Sequence, residues 1–233
     1  MNKTIVITGS AAGIGCGLKE AYEAQGCTVY GIDLEAGETC QGDVGKKEDL
    51  AAFVSYIREH SDRVDVFIHN SPPPSVGIDT GTYEAFQEAM AIGVTAAYYL
   101  VQELRDLFAD GASILFLIST RSEMSQQQTE SYSAAKGALA SLTHALAVSL
   151  GPEIRVNGIA PGWIETRGAE YPSDGPDSRQ HPVGRVGQVR DIVEAALYLT
   201  SERASFITGQ ILTVDGGMSR RMIYHADEGW SLV

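Results

Sequence analysis

Tyr132 and Lys136 stand four residues apart in SYSAAKG (131–137), in a chain with only five lysines. The surrounding segment, Glu130–Leu150, is rich in alanine and leucine and lacks proline. It is predicted to be a helix, on which i and i+4 side chains share a face. The ammonium can then lie beside the phenol. A free phenol titrates near pH ~10, and a nearby positive charge favours its ionised form. To serve as a base at neutral pH it must come down by roughly three pH units, or about 4 kcal/mol. A lone lysine on a wet surface falls short of that, whereas a lysine plus a second cation in a water-poor pocket does not. The same spacing also arises by chance on a solvated helix face, so its meaning rests on the elements around it.

Those elements alternate. Strand-like apolar runs read KTIVIT (3–8), CTVYGID (27–33), RVDVFIHN (63–70), ASILFLIS (112–119), EIRVNGIA (153–160) and QILTVDGG (210–217). Helical stretches are predicted from the first glycine turn to Gln25, over 46–60, over 82–109 with a break near Gly93, through Tyr132, and over 189–200. The strands lack clean polar alternation, as strands buried on both faces do. The β-α-β order implies α/β architecture: a doubly wound parallel sheet, here in a single domain of 233 residues. Ligands of such sheets bind at the carboxyl ends of the strands. Gly9, Asp33, Asn70, Ser119 and Pro161, and the turn before Tyr132, belong there. Residues 168–187 are rich in Gly, Pro and charge, and read as a long loop of the kind that forms lids.

Composition excludes several classes. The net charge of −13 opposes a nucleic-acid or anionic-membrane partner. No apolar run reaches the length of about eighteen residues that a membrane span needs. MNKTIVITGS is too short an apolar stretch for a signal peptide. Cys16, Cys27 and Cys40 are odd in number and lack metal-ligand spacing, so neither a disulfide framework nor a metal site is expected, and the setting is the reducing cytoplasm. Cys16 reads as a small residue packed at a helix start rather than a redox thiol.

The first strand runs into TGSAAGIG (8–15). Gly9, Gly13 and Gly15, with Ser10 and Ile14 among them, make a turn that brings backbone up to a pyrophosphate at a helix N-terminus. The spacing is not GxGxxG, but the strand–turn–helix–strand context holds. Asp33 ends the second strand, where an acid suits two ribose hydroxyls and repels a 2′-phosphate. Leu34 and Glu35 follow it, and the glycine turn has no basic residue. The expected cofactor is NAD(H) rather than NADP(H).

TGSAAGIG, the Ser119–Tyr132–Lys136 set, NGIAPGWIET (157–166) and ITGQILTVDGGM (207–218), in that order, resemble the short-chain dehydrogenases/reductases of the compact single-domain type, from about residue 3 to 220. The resemblance implies a Rossmann-like sheet of seven strands and hydride transfer between a nicotinamide and an alcohol or carbonyl. Tyr132 is then the acid/base, and Lys136 holds the nicotinamide ribose and lowers the phenol pKa. Ser119 hydrogen-bonds the substrate oxygen, with Thr120 as its neighbouring alternative. Asp43 and Val44 resemble the pair at the adenine. Asn70 keeps one position of the loop after the fourth strand. Pro161, Gly162, Ile164 and Thr166 resemble the segment beside the carboxamide. The substrate is a small molecule. A substrate loop is implied at about 163–187, and a C-terminal tail at about 219–233. The family's oligomers imply a homotetramer, or a homodimer, paired through the helices at 83–109 and 131–150; Ala134, Ala135, Gly137 and Ala140 suit close packing there.

Two features depart from that pattern. HNSPPP (69–74) puts Pro72 where the family has glycine, and proline removes a donor and fixes φ. His69 reads as a strand-end residue with a structural hydrogen bond. Gly93 stands where an asparagine usually holds a water that connects the lysine to solvent. Either a water or a neighbouring residue fills that gap in an active enzyme, or the chain binds NAD without turnover as a sensor or scaffold. The charges of the substrate loop suit a polar secondary alcohol, sugar-like or a hydroxy acid, or only solvation; a 3-oxoacyl thioester is also open.

Overall fold

The computed structural model describes residues 3–227. Trp230 and Leu232, in the expected C-terminal tail, lie outside the described residues. Seven parallel strands form one sheet: β1 (Thr4–Thr8), β2 (Thr28–Asp33), β3 (Cys40–Gln41), β4 (Val64–His69), β5 (Phe108–Leu117), β6 (Ile154–Pro161) and β9 (Ile211–Val214), in the order β3-β2-β1-β4-β5-β6-β9. A separate parallel pair joins β7 (Ile164–Glu165) to β8 (Gly187–Gln188).

Helices cover both faces: α1 (Gly13–Ala24), α2 (Lys47–His60), α3 (Tyr83–Met90), α4 (Ala96–Glu103), α5 (Glu130–Leu150), α6 (Pro176–Gln180) and α7 (Val189–Leu199). Successive residues of a strand feed opposite layers. Val6, Phe67, Ile114 and Phe116 pack with Phe53, Leu100 and Leu139 on one side. Ile5, Ile7, Ile68 and Leu115 pack with Leu18, Ile192 and Ala196 on the other. Two apolar layers explain why the strands read as continuous apolar runs.

The predicted helix over 82–109 is shorter and interrupted. Thr82 caps it, its hydroxyl accepting the Ala85 N–H at 3.1 Å. Ala91–Thr95 form a π-helical turn around Gly93 between α3 and α4. A 3-10 turn at Arg105–Leu107 then ends the run, and Phe108 already belongs to β5. The break expected near Gly93 is therefore a change of helix type. The segment predicted as a plain loop over 168–187 contains α6, and its base is tied by the β7–β8 pair.

Chain direction across the sheet reverses between β1 and β4, and a crevice opens at the carboxyl ends of strands that part in this way. Gly9 and Asn70 sit on its two lips, joined by Asn70 Nδ2 donating to the Gly9 carbonyl at 2.7 Å.

Candidate active site

A cavity of about 670 Å³ runs along this crevice. At one end lie Gly9, Gly13 and Ile14 of the glycine turn, with Asp33, Asp43 and Val44; at the other lie Ser119, Tyr132 and Lys136, with Pro161, Gly162, Ile164 and Thr166; Asn70 borders the middle. These predicted residues come from separate strands, turns and helices and meet in one place.

The turn needs its glycines. Gly9 and Gly13 hold φ of +67° and +54°, the left-handed region that a Cβ disfavours. A Cβ on Gly15 would collide with the Gly9 carbonyl, so that glycine lets α1 start tight against the strand. Gly15 itself does not line the cavity, and neither does Ser10. The Ser10 side chain is fully buried and turned away, its hydroxyl donating to Glu38 at 2.8 Å. Asp33 accepts the Ala11 N–H at 3.0 Å and the Glu35 N–H at 3.2 Å, which orients the carboxylate at the rim. The one lysine of α1, Lys19, is bound to Glu38 at 2.8 Å. Asp43 accepts the Gly45 N–H at 2.8 Å, and its own N–H donates to Asp49 at 2.8 Å. The bare-backbone cradle at a helix N-terminus and the rim carboxylate fit the pyrophosphate and adenosine ribose of a dinucleotide.

At the other end the geometry is less simple than the spacing suggests. Lys136 is 2% exposed, and its ammonium donates to the Leu117 carbonyl at 2.6 Å. Burial lowers its pKa from 10.5 to about 7. Its Nζ lies 5.7 Å from the Tyr132 ring centroid. Burial raises the Tyr132 pKa, opposed by a hydrogen bond from Ser119 and by the charge of Arg121. Lys136 therefore does not dominate the phenol. The cation that does act on it is Arg121, whose Cζ is 5.5 Å from the ring centroid. Sequence reasoning missed Arg121. It arrives through the 3-10 turn Thr120–Ser122, which Ser119 caps by accepting the Arg121 N–H at 3.2 Å. Ile92 and Ile118 also line the cavity and were not foreseen; Arg167, one of the charges expected in the loop at 163–187, lines it too.

Both departures have a structural account. The proline loop is fastened to the helix of Tyr132: Ser131 Oγ donates to the Pro74 carbonyl at 3.0 Å and accepts the Val76 N–H at 2.8 Å. Gly93 leaves no vacant space. A Cβ there would lie 2.8 Å from Ala135 Cβ and 3.2 Å from Pro73. His69 is fully buried, and its Nδ1 pairs with Thr8 Oγ1 at 3.0 Å. That oxygen already accepts the N–H groups of Asn70 and Ser71, so its own proton goes to Nδ1. The Nε2 atom makes no hydrogen bond, although the backbone of Ile92 and Gly93 in the π turn lies close enough to favour a protonated ring. Burial, then the Lys136 charge, outweigh that effect and hold the His69 pKa at about 3, so the ring is neutral. Burial also raises the Cys16 thiol pKa, which opposes thiolate reactivity.

A family model described as enoyl-(acyl carrier protein) reductase matches residues 9–219. An uncharacterised oxidoreductase of Thermotoga maritima is 36% identical over 95% of this chain and 98% of its own length. The 7alpha-hydroxysteroid dehydrogenase of Escherichia coli is 30% identical over 92% of this chain and 93% of its own. A solved structure described as an apo SCOR enzyme from Clostridium thermocellum superposes with a TM-score of 0.92 at 36% identity, covering 100% of this chain and 99% of that one. With its seven-stranded sheet and glycine turn, the chain belongs to the short-chain dehydrogenase/reductase family of oxidoreductases, which use a nicotinamide cofactor.

Proposed function

We propose that this chain is an NAD(H)-dependent dehydrogenase that interconverts a secondary alcohol and a carbonyl, with Tyr132 as acid/base and Ser119 and Lys136 as its partners. The observation that carries the reading is the convergence of these three side chains on one cavity with the glycine turn and Asp33 at its far end. The cofactor, when bound, supplies or takes up the hydride. The chain's own tasks are orientation and proton handling. Asp33 and the turn at Gly9 and Gly13 hold the adenosine end, and Asp43 and Val44 border the adenine. The segment Pro161–Thr166 borders the carboxamide end, and Lys136 reaches the second ribose. Ser119 donates to the substrate oxygen, and Tyr132 exchanges a proton with it.

Burial holds the phenol above its ordinary pKa, and the positive charge of an oxidised nicotinamide would oppose that burial. Lys136, once drawn into hydrogen bonds with a ribose, regains a reason to stay protonated. NAD is preferred over NADP because Asp33 faces a 2′-phosphate and Lys19 is engaged by Glu38; family members as a group use either. The reading extends to a cytoplasmic homotetramer, with a homodimer as the alternative. A non-catalytic sensor or scaffold has no observation in its favour, since Gly93 leaves no gap in the packing.

The test is NADH formation from NAD⁺ over a panel of secondary and sugar alcohols. Tyr132→Phe is expected to lose about 10²- to 10⁴-fold in turnover while NADH binding, followed by titration, stays near wild type. NADPH is expected to bind more weakly than NADH. Tight NADH binding with no turnover across the panel would overturn the dehydrogenase, and NADPH binding as tight as NADH would overturn the NAD assignment.

A further inference from the structure

A second cleft, of about 540 Å³, lies on the substrate loop outside the cofactor cavity. Arg179, His181, Arg220 and Arg221 line it, together with Pro182, Gly184 and Gly217. None of these is a carboxylate, although the chain carries 30 acidic residues against 17 basic ones. Among the described residues the Arg179 guanidinium has no hydrogen bond or ion pair, the Arg220 charge acts on Asp215, and Arg221 donates to the Arg179 carbonyl. The oxygens of Asp215 are themselves occupied, accepting the N–H groups of Gly217 at 2.8 Å and Ser219 at 2.7 Å.

His181 gives an independent sign. It is 2% exposed, and its Nδ1 pairs with the Asp177 carbonyl at 2.9 Å. A carbonyl only accepts, so Nδ1 carries the proton of that bond. Nε2 is buried with no partner. Buried polar atoms are almost always satisfied, and with the proton on Nδ1 the Nε2 lone pair accepts, so it asks for a ligand with a hydroxyl beside its anionic oxygens, as a hydroxy acid or a monoprotonated phosphate has. Guanidinium forks match the paired oxygens of a carboxylate or phosphate. The cleft is also tied to the reaction cavity. Trp163, between the cavity-lining Gly162 and Ile164, packs its ring 6.4 Å from His181 and 5.3 Å from Tyr171.

We propose that the cleft between Arg179, His181 and Arg220–Arg221 is a subsite for an anionic group, a carboxylate or phosphate, carried by the substrate. This rests on the dehydrogenase reading and narrows its substrate class to acidic or phosphorylated secondary alcohols.

The test has two arms. In a Trp230→Phe background, Trp163 fluorescence is titrated with inorganic phosphate at fixed ionic strength, with Arg179→Ala and Arg220→Ala alongside. Saturable binding weakened about tenfold or more in either variant is expected. No saturable change, or equal affinity in the variants, overturns the anion site. The second arm compares neutral secondary alcohols with their carboxylated and phosphorylated counterparts. KM is expected to rise in the variants for the charged members alone; equal effects on charged and neutral alcohols would overturn the assignment to substrate. If no alcohol turns over, the dehydrogenase reading fails while the phosphate titration still decides the anion site.

Discussion

Lys136 is a buried cation whose ammonium finds the Leu117 carbonyl at 2.6 Å, and burial sets its pKa near 7 against 10.5 when free. Between those values the unfolded chain binds a proton that the folded chain does not, so unliganded stability rises with pH across that window. At the acid end the buried charge costs on the order of 5 kcal/mol at most. Lys136→Met should therefore stabilise the unliganded protein most at about pH 6 and least at about pH 9, read as the difference in Tm from wild type. A difference independent of pH would contradict the buried-charge account. At this scale the sequence was readable where spacing carries the information: Ser119, Tyr132 and Lys136 do meet. Arg121 was not readable, because its position over the Tyr132 ring depends on a 3-10 turn folding back on the strand end. Ser10 was misplaced for a related reason. A turn residue's direction depends on its φ and ψ, and here they aim the hydroxyl at Glu38.

Gly93 shows what an element imposes on a residue. The π turn at Ala91–Thr95 brings its backbone against Ala135 of α5 and Pro73 of the proline loop, so three segments share one contact. Gly93→Asn puts a side chain into that contact, and overpacking of this kind costs about 1–3 kcal/mol. The expected outcome is a lower denaturation midpoint and no gain in turnover; a faster variant of undiminished stability would mean that the space opens readily. The same contact corrects the expectation that Ala135 faces a neighbouring subunit, since it is fully buried within its own chain. The long strands were legible because two apolar layers leave a continuous signal. The pairs at Cys40–Gln41, Ile164–Glu165 and Gly187–Gln188 are too short for any periodicity to show, and only tertiary pairing reveals them.

The molecule as a whole leaves apolar side chains exposed on the helices that the resemblance pairs across subunits: Phe86 is 42% exposed, Tyr98 51% and Val148 84%. Large apolar side chains exposed on such helices are candidates for an association surface. Light scattering at micromolar concentration should report a dimer or tetramer, and Val148→Glu should lower the assembly state. A wild-type monomer would refute the assembly. No helix among the described residues is long and apolar enough to cross a membrane. The seven-stranded order followed from the family resemblance more than from the strand count, because β3 has only two residues. One small feature reaches further. The β7–β8 ladder joins Ile164 to Gly187 and Glu165 to Gln188, closing the base of the segment between them. The segment still touches the frame at two places, Thr166 beside Gly13 and Val183 beside Gly216. An exchange of its contents between the same two anchor pairs, with those touching residues retained, would leave the seven-stranded sheet in place, so the segment can be swapped as a cassette.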